Sequence, residues 1–260
     1  MSAGSTLASG SDDVLRVDRL TKSFGGDDVV HDVSFAVAAG ELVALIGPNG
    51  AGKTTCFNMI NGQLPPDRGA VMLAGTRIDR LPPRTIARLG VGRTFQVAAT
   101  FASMTVRENV QLALLSHAGD HLGIRARATD RLRDEADLLL ERVRMTKLAE
   151  AGCATLAYGD AKRVELALAL AGKPRLLLMD EPTAGMSPRS RGRLMQLAAD
   201  VARAERIAVL FTEHDMDVVF GHADRIIVLD RGRKIAEGSP AEIRANANVQ
   251  AVYLGEDVAT

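Results

Sequence analysis

The chain has 260 residues, 47% hydrophobic and 25% charged, with 32 basic and 32 acidic residues and a formal net charge of +0. That composition is ordinary for a globular protein of one large or two small domains. A neutral balance gives no reason to expect a nucleic-acid or anionic-membrane surface, and no apolar run approaches the roughly 18 residues needed to span a bilayer.

The start, MSAGSTLASGSDD, has no basic region followed by an apolar one. It is read as no export signal but a flexible Ser/Gly-rich tail over 1–13. From Val14 to Ala38, VLRVDRL and VSFAV flank Gly25-Gly26 and predict antiparallel strands. ELVALI (41–46) is a continuous apolar run ending in glycine, as a strand buried on both faces should be. A helix is expected from Gly52, then the short strand VMLAG, the Pro-containing LPPRTIARLG and a strand in VGRTFQ. Between Met104 and Val143 the pattern turns helical, with Leu132, Ala136, Leu139 and Val143 on one face of TDRLRDEADLLLERV. Another helix follows LAYGD. After it come the strand PRLLLMDE, a helix near 187–203, the strand RIAVLFT and the hairpin IIVLDRGRKIAEG. Strand–helix alternation at both ends predicts an α/β sheet, with the helical middle as an inserted subdomain. Cys56 and Cys153 lie far apart and match no metal spacing. Free thiols in a reducing cytosol are the favoured reading, with a disulfide left open.

GPNGAGKTT (47–55) fits G-x-x-x-x-G-K-[ST] and follows an apolar strand, the context a phosphate loop requires. Gly47, Gly50 and Gly52 let the backbone of Pro48, Asn49 and Ala51 turn so that N–H groups face phosphate oxygens. The following helix adds its positive end near Thr55. Lys53 supplies a charge to the β/γ-phosphates and Thr54 a hydroxyl to Mg²⁺. The plainer reading, a glycine-rich turn with a surface lysine, does not account for the strand–helix setting. In RLLLMDEPT (175–183), Asp180 and Glu181 emerge at the end of a buried strand, where open α/β sheets place ligands. Asp180 suits Mg²⁺, through water, and Glu181 the orientation or deprotonation of an attacking water. Two solvated acids capping a strand are the alternative. The two motifs together indicate a nucleoside-triphosphate hydrolase.

Gln96 after a strand, LAYGD before a helix, DEPTAGMSP, and His214 in FTEHD occur in the order found in ABC-type ATPases, which the chain resembles from about Val14 to Gly255. The resemblance implies a P-loop NTPase core with a mixed, mainly parallel sheet, an antiparallel β subdomain and a helical subdomain at about 97–171, forming one ATPase domain over 14–260. It also implies a head-to-tail dimer, homomeric or with a related chain, in which LAYGD of one subunit covers the nucleotide held by the other. Ala157, Tyr158, Gly159 and Asp160 would then touch a partner's ATP through a helix N-terminus. The usual signature is LSGGQ. Ala157 replaces a serine whose bond to the γ-phosphate is worth about 1.5–3 kcal/mol. Asp160 is expected to turn toward its own helix end, and Tyr158 has a hydroxyl to donate. Read alone, LAYGD is a helix start with a core tyrosine.

Phe24 falls where the family stacks an aromatic on adenine, although a core phenylalanine fits nearly as well. The resemblance gives Gln96 a contact to Mg²⁺ or the attacking water, and His214 a bond to the γ-phosphate. A lone histidine at a strand end is otherwise structural or solvated, and the flanking Glu213 and Asp215 either raise its proton affinity or form a surface cluster with it. Ser187 in AGMSP is either at the dimer interface or a helix cap ahead of Pro188. The segment 97–128 is either part of a groove for a short helix of a membrane subunit or core. Tyr158, AGMSP, the EHDMDVVFGHADRIIVLDRGRKIAEGSPAEI stretch and NVQAVYLG look like the ATP-binding subunit of branched-chain amino acid importers. That likeness implies ATP and Mg²⁺ as cofactors, permease subunits and, indirectly, a substrate-binding protein as partners, no nucleic acid, and a peripheral place on the cytoplasmic face of the inner membrane. The competing readings are an exporter ATPase, such as a lipopolysaccharide-extracting one, a soluble ABC ATPase of DNA repair or translation, and a nucleotide-dependent scaffold with little hydrolysis.

Overall fold

The structure is a computed structural model in which residues 12–94, 100–118 and 126–257 are described. Two sheets share the chain. β1 (Asp13–Phe24) and β2 (Asp27–Ala38) pair antiparallel across the Gly25-Gly26 turn. With β4 (Arg68–Leu73) and β5 (Thr76–Arg77) they form a four-stranded sheet in the order β2-β1-β4-β5.

The second sheet has six strands. Its members are β3 (Leu42–Ile46), β6 (Val91–Thr94), β7 (Leu176–Asp180), β8 (Ala208–Thr212), β9 (Arg225–Asp230) and β10 (Arg233–Gly238), in the order β10-β9-β3-β8-β7-β6. All neighbours run parallel except the β9–β10 hairpin. The uninterrupted apolar runs of β3, β7 and β8 follow from burial on both faces. Val43, Leu45, Leu178 and Leu210 face the four-stranded sheet and α1 (Lys53–Ile60), where they meet Leu15, Phe35 and Phe57. Ala44, Leu177, Val209 and Phe211 face the helices on the other side. Alternate residues of one strand thus enter two hydrophobic cores.

The helical side contains α3 (Val106–Ala118), α4 (Ala126–Arg142), α5 (Tyr158–Leu170), α6 (Pro188–Glu205) and α7 (Met216–His222). Leu132, Ala136 and Leu139 of α4, with Val143 just beyond, pack into that core, as their spacing predicts. LPPRTIARLG folds as the short α2 (Pro83–Arg88), with proline at its start, where a missing N–H costs nothing. The chain ends in α8 (Pro240–Ala245), opened by a Ser239–Glu242 capping box, and α9 (Ala247–Asp257). The strand expected from Val14 begins at Asp13, and residues 1–11 of the expected tail lie outside the described residues. Among the described residues no helix is long and apolar enough to cross a membrane.

Candidate functional site

The parallel strands point the same way, so β3, β7 and β8 end along one edge, where Gly47, Asp180 and Thr212 emerge. The loop 47–52 leaves β3 there and turns into α1, whose N-cap is Gly52 in the left-handed region at φ 98°. Cys56 N–H donates to Gly52 O, the first intrahelical bond of α1. The amides of Thr54 and Thr55 therefore have no carbonyl within the helix to meet and lie at its positive end. Lys53 Nζ folds over the loop and donates to Gly47 O at 2.6 Å and Pro48 O at 2.9 Å. Val29 and Val30 of β2 abut Gly52, so the β1–β2 hairpin borders the loop. Phe24 at the tip of that hairpin is exposed, with Lys22 Nζ 5.7 Å from its ring centroid. A core position for Phe24 is thereby excluded.

Two acids and a histidine stand beside the loop. Asp180 is buried, and its register partner across the sheet is Thr212. Thr212 Oγ1 donates to Asp180 Oδ1 at 2.8 Å and accepts from Glu181 N–H at 3.1 Å, so one hydroxyl holds the Asp180 carboxylate and the Glu181 backbone. Glu181 has φ 47°, an uncommon conformation for a residue other than glycine. Its carboxylate accepts a bond from His214 Nε2 at 2.8 Å. Because a carboxylate only accepts, the imidazole carries the shared proton. Glu213 and Asp215 do not serve His214 as their position suggests. Glu213 is buried and accepts from Thr183 N–H and Oγ1 at 2.8 and 2.6 Å. Asp215 caps α7 through the amides of Asp217 and Val218 and pairs with Arg191. Burial opposes ionisation of Asp215, but those bonds outweigh it and hold its carboxyl below the usual range.

The LAYGD turn lies at the surface and opens α5 with Ala157 as N-cap. Tyr158 is neither buried nor free to donate as expected. Its ring is exposed and its hydroxyl donates to Ala184 O at 2.9 Å. Asp160 stays in the first turn of its own helix, 3.5 Å from Arg163. A Cβ added to Gly159 would meet only Met186 Cε, at an ordinary 3.5 Å. Ser187 is the N-cap of α6 by position, yet its hydroxyl bonds Ser190 Oγ instead of a helix amide. Arg191 Nε donates to Met186 O and thereby ties this turn to Asp215.

Gln96 lies outside the described residues, as do 97–99 and 119–125 of the proposed groove segment 97–128. Cys56 and Cys153 are free thiols, and burial pushes that of Cys56 up to about 12, which makes it inert. Sequence reasoning missed Thr212, Thr183 and Arg93, whose guanidinium pairs with Asp180. The one available signal for Thr212 was a polar residue closing an apolar run. Among the described residues no group of three or more His, Cys, Asp or Glu could hold a metal. Two hard oxygens, the Asp180 carboxylate and the exposed Thr54 hydroxyl, fit a cation that completes its shell with phosphates and water, as Mg²⁺ does.

A sequence model described as ABC transporter matches residues 30–184. A second, described as branched-chain amino acid ATP-binding cassette transporter, matches 233–259. The high-affinity branched-chain amino acid transport ATP-binding protein LivG of Salmonella typhimurium is 39% identical over 255 residues, covering 95% of this chain and 99% of LivG. The ADP conformation of MJ1267, an ATP-binding cassette of an ABC transporter, superposes with a TM-score of 0.82 at 28% identity, covering 94% of this chain and 99% of that one. A dimeric post-hydrolysis state of the cassette MJ0796, bound to ADP and Pi, gives 0.73 at 25% identity, covering 87% and 98%. With a phosphate loop, paired acids and a histidine at one sheet edge, the chain belongs to the ABC transporter family as an ATP-binding subunit that hydrolyses ATP.

Proposed function

We propose that this subunit powers an importer for branched-chain amino acids from the cytoplasmic face of the inner membrane, docked on permease subunits that receive substrate from a binding protein. The names of LivG and of the model matching 233–259 support the substrate class. Two cassettes close head to tail, each offering LAYGD to the nucleotide on the other's phosphate loop. The observation that carries this reading is the exposed LAYGD turn, whose Gly159 has room for a Cβ within its own fold. The lack of a side chain there is explained by an approaching partner phosphate, which meets the amides at the N-terminus of α5.

In the closed pair, Gly47, Asn49, Gly50, Ala51, Gly52 and Thr55 surround the phosphates with backbone N–H groups, Pro48, which has no N–H, shapes the turn between them, and Phe24 stacks on the base. Lys53 leaves its loop carbonyls for the β/γ-phosphates. Thr54, Asp180 and Gln96 would hold Mg²⁺, which would supply positive charge against that developing on the transferred phosphoryl group. Glu181 orients the attacking water and takes its proton. His214 gives up its bond to Glu181 and turns the same N–H to the γ-phosphate. Ala157, Tyr158, Gly159 and Asp160 belong to the signature turn, where backbone amides make the contact and Tyr158 braces them. The segment 97–128 contributes to a groove for the permease's short helix, and its His117 borders a cavity of about 290 Å³ beside β6. The test is reconstitution with candidate permeases in vesicles. Uptake of leucine that requires ATP and is abolished by Glu181→Gln supports the reading. ATPase activity with no copurifying membrane protein and no uptake overturns it.

A further inference from the structure

The guanidinium of Arg93 is held in an unusual place. On β6, Arg93 pairs in register with Leu178, two residues before Asp180. Its Nη2 donates to Asp180 Oδ2 at 3.2 Å, while Nη1 donates to Asn58 Oδ1 at 3.1 Å and Gln63 Oε1 at 3.0 Å. Nε is buried and has no hydrogen-bond partner among the described residues. A buried donor left unpaired is unfavourable, so the side chain is kept there by its other contacts. The Asp180 carboxylate is 6% exposed and calls for a counter-charge.

We propose that Arg93 is a positioning residue that serves as counter-ion to Asp180 until a divalent cation replaces it, and so sets the metal concentration at which the site loads. The proposal rests on Asp180 being the metal acid. A cation at that carboxylate and a guanidinium 3.2 Å from the same oxygen repel each other in a poorly solvated space. Metal binding therefore works against the ion pair. Anchorage on α1 through Asn58 returns the guanidinium to Asp180 when the metal leaves.

The experiment titrates Mn²⁺ into the full chain with a non-hydrolysable ATP analogue and reads free Mn²⁺ by electron paramagnetic resonance. Circular dichroism checks the fold of each variant. Arg93→Gln is expected to lower the Mn²⁺ Kd three- to tenfold, and Arg93→Lys, which keeps the charge, to stay within twofold of wild type. The Mg²⁺ concentration giving half-maximal ATPase should fall in parallel with that Kd. Asp180→Asn is the control and must raise the Kd at least tenfold. If it does not, Asp180 is not the metal acid and the underlying reading fails. If it does, while Arg93→Gln leaves the Kd unchanged or raised, the counter-ion proposal alone is wrong. Should Arg93→Gln not fold, a Kd for Arg93→Lys lowered more than twofold overturns the proposal by itself.

Discussion

Tyr158 Oη donates to the carbonyl of Ala184 at 2.9 Å, although 26 residues separate them. The bond joins the turn that opens α5 to the turn that follows Glu181. In the proposed head-to-tail pair the first would serve the partner's nucleotide, and the second follows the proposed general base of the subunit itself. Tyr158→Phe removes this bond and leaves the ring. Its exposure limits the stability loss to about 0.5–1.5 kcal/mol. The expected result is unchanged ATP affinity in the isolated subunit and a several-fold lower kcat with weaker cooperativity. Equilibrium nucleotide binding beside steady-state kinetics checks it. A kcat equal to wild type would leave the Tyr158–Ala184 contact without a role in turnover.

Glu181→Gln is expected to reduce turnover at least about a hundredfold, the usual scale for losing a general base. The amide retains the size of the side chain and an acceptor for His214. Binding and closure should therefore persist, and an ATP-bound dimer should accumulate on size-exclusion chromatography. A variant that stayed monomeric at saturating ATP with wild-type turnover would remove Glu181 from the mechanism.

The phosphate loop and the acids were legible because they follow continuous apolar strands, and burial on both faces of β3, β7 and β8 is what makes those runs continuous. The polar frame between them was not legible. Thr212 reaches Asp180 because β8 pairs in parallel with β7 in a register that sets the two residues opposite each other. Arg93 meets Asp180 across 87 positions, and Thr183 meets Glu213 across 30. Pairings over such distances depend on strand order, which no local pattern encodes. The same limit misdirected the reading of Glu213 and Asp215, whose nearness to His214 in sequence does not survive the turn into α7.

Asp215 links stability to pH. Its folded-state pKa is depressed, so the ionised carboxylate contributes stability that is complete above the unfolded value of about 3.9 and fades as pH falls through the folded pKa. Asp215→Asn retains a cap acceptor and removes the charge facing Arg191. The expected cost is about 1 kcal/mol at pH 7, shrinking toward zero below pH 4. Urea melts of both proteins across that range measure it. A cost that stayed constant down to pH 3 would mean that the charge of Asp215 adds nothing.

Gly47 and Gly50 separate two reasons for glycine in one loop. At Gly50 an added Cβ has nothing within 4 Å, so only its φ of 79° opposes alanine, by about 1–2 kcal/mol. At Gly47 the same atom would stand 2.1 Å from the backbone oxygen of Leu229, with φ 153°. Neither the oxygen nor the strand carrying it can yield, because β9 is paired with both β3 and β10. The loop itself must move, and with it the carbonyls that hold Lys53. Gly50→Ala is therefore expected to fold and bind ATP with modestly reduced affinity. Gly47→Ala should lose ATP binding altogether while its far-UV circular dichroism stays native. Parallel calorimetric titrations with ATP test the pair, and equal loss of affinity in both variants would refute the steric distinction.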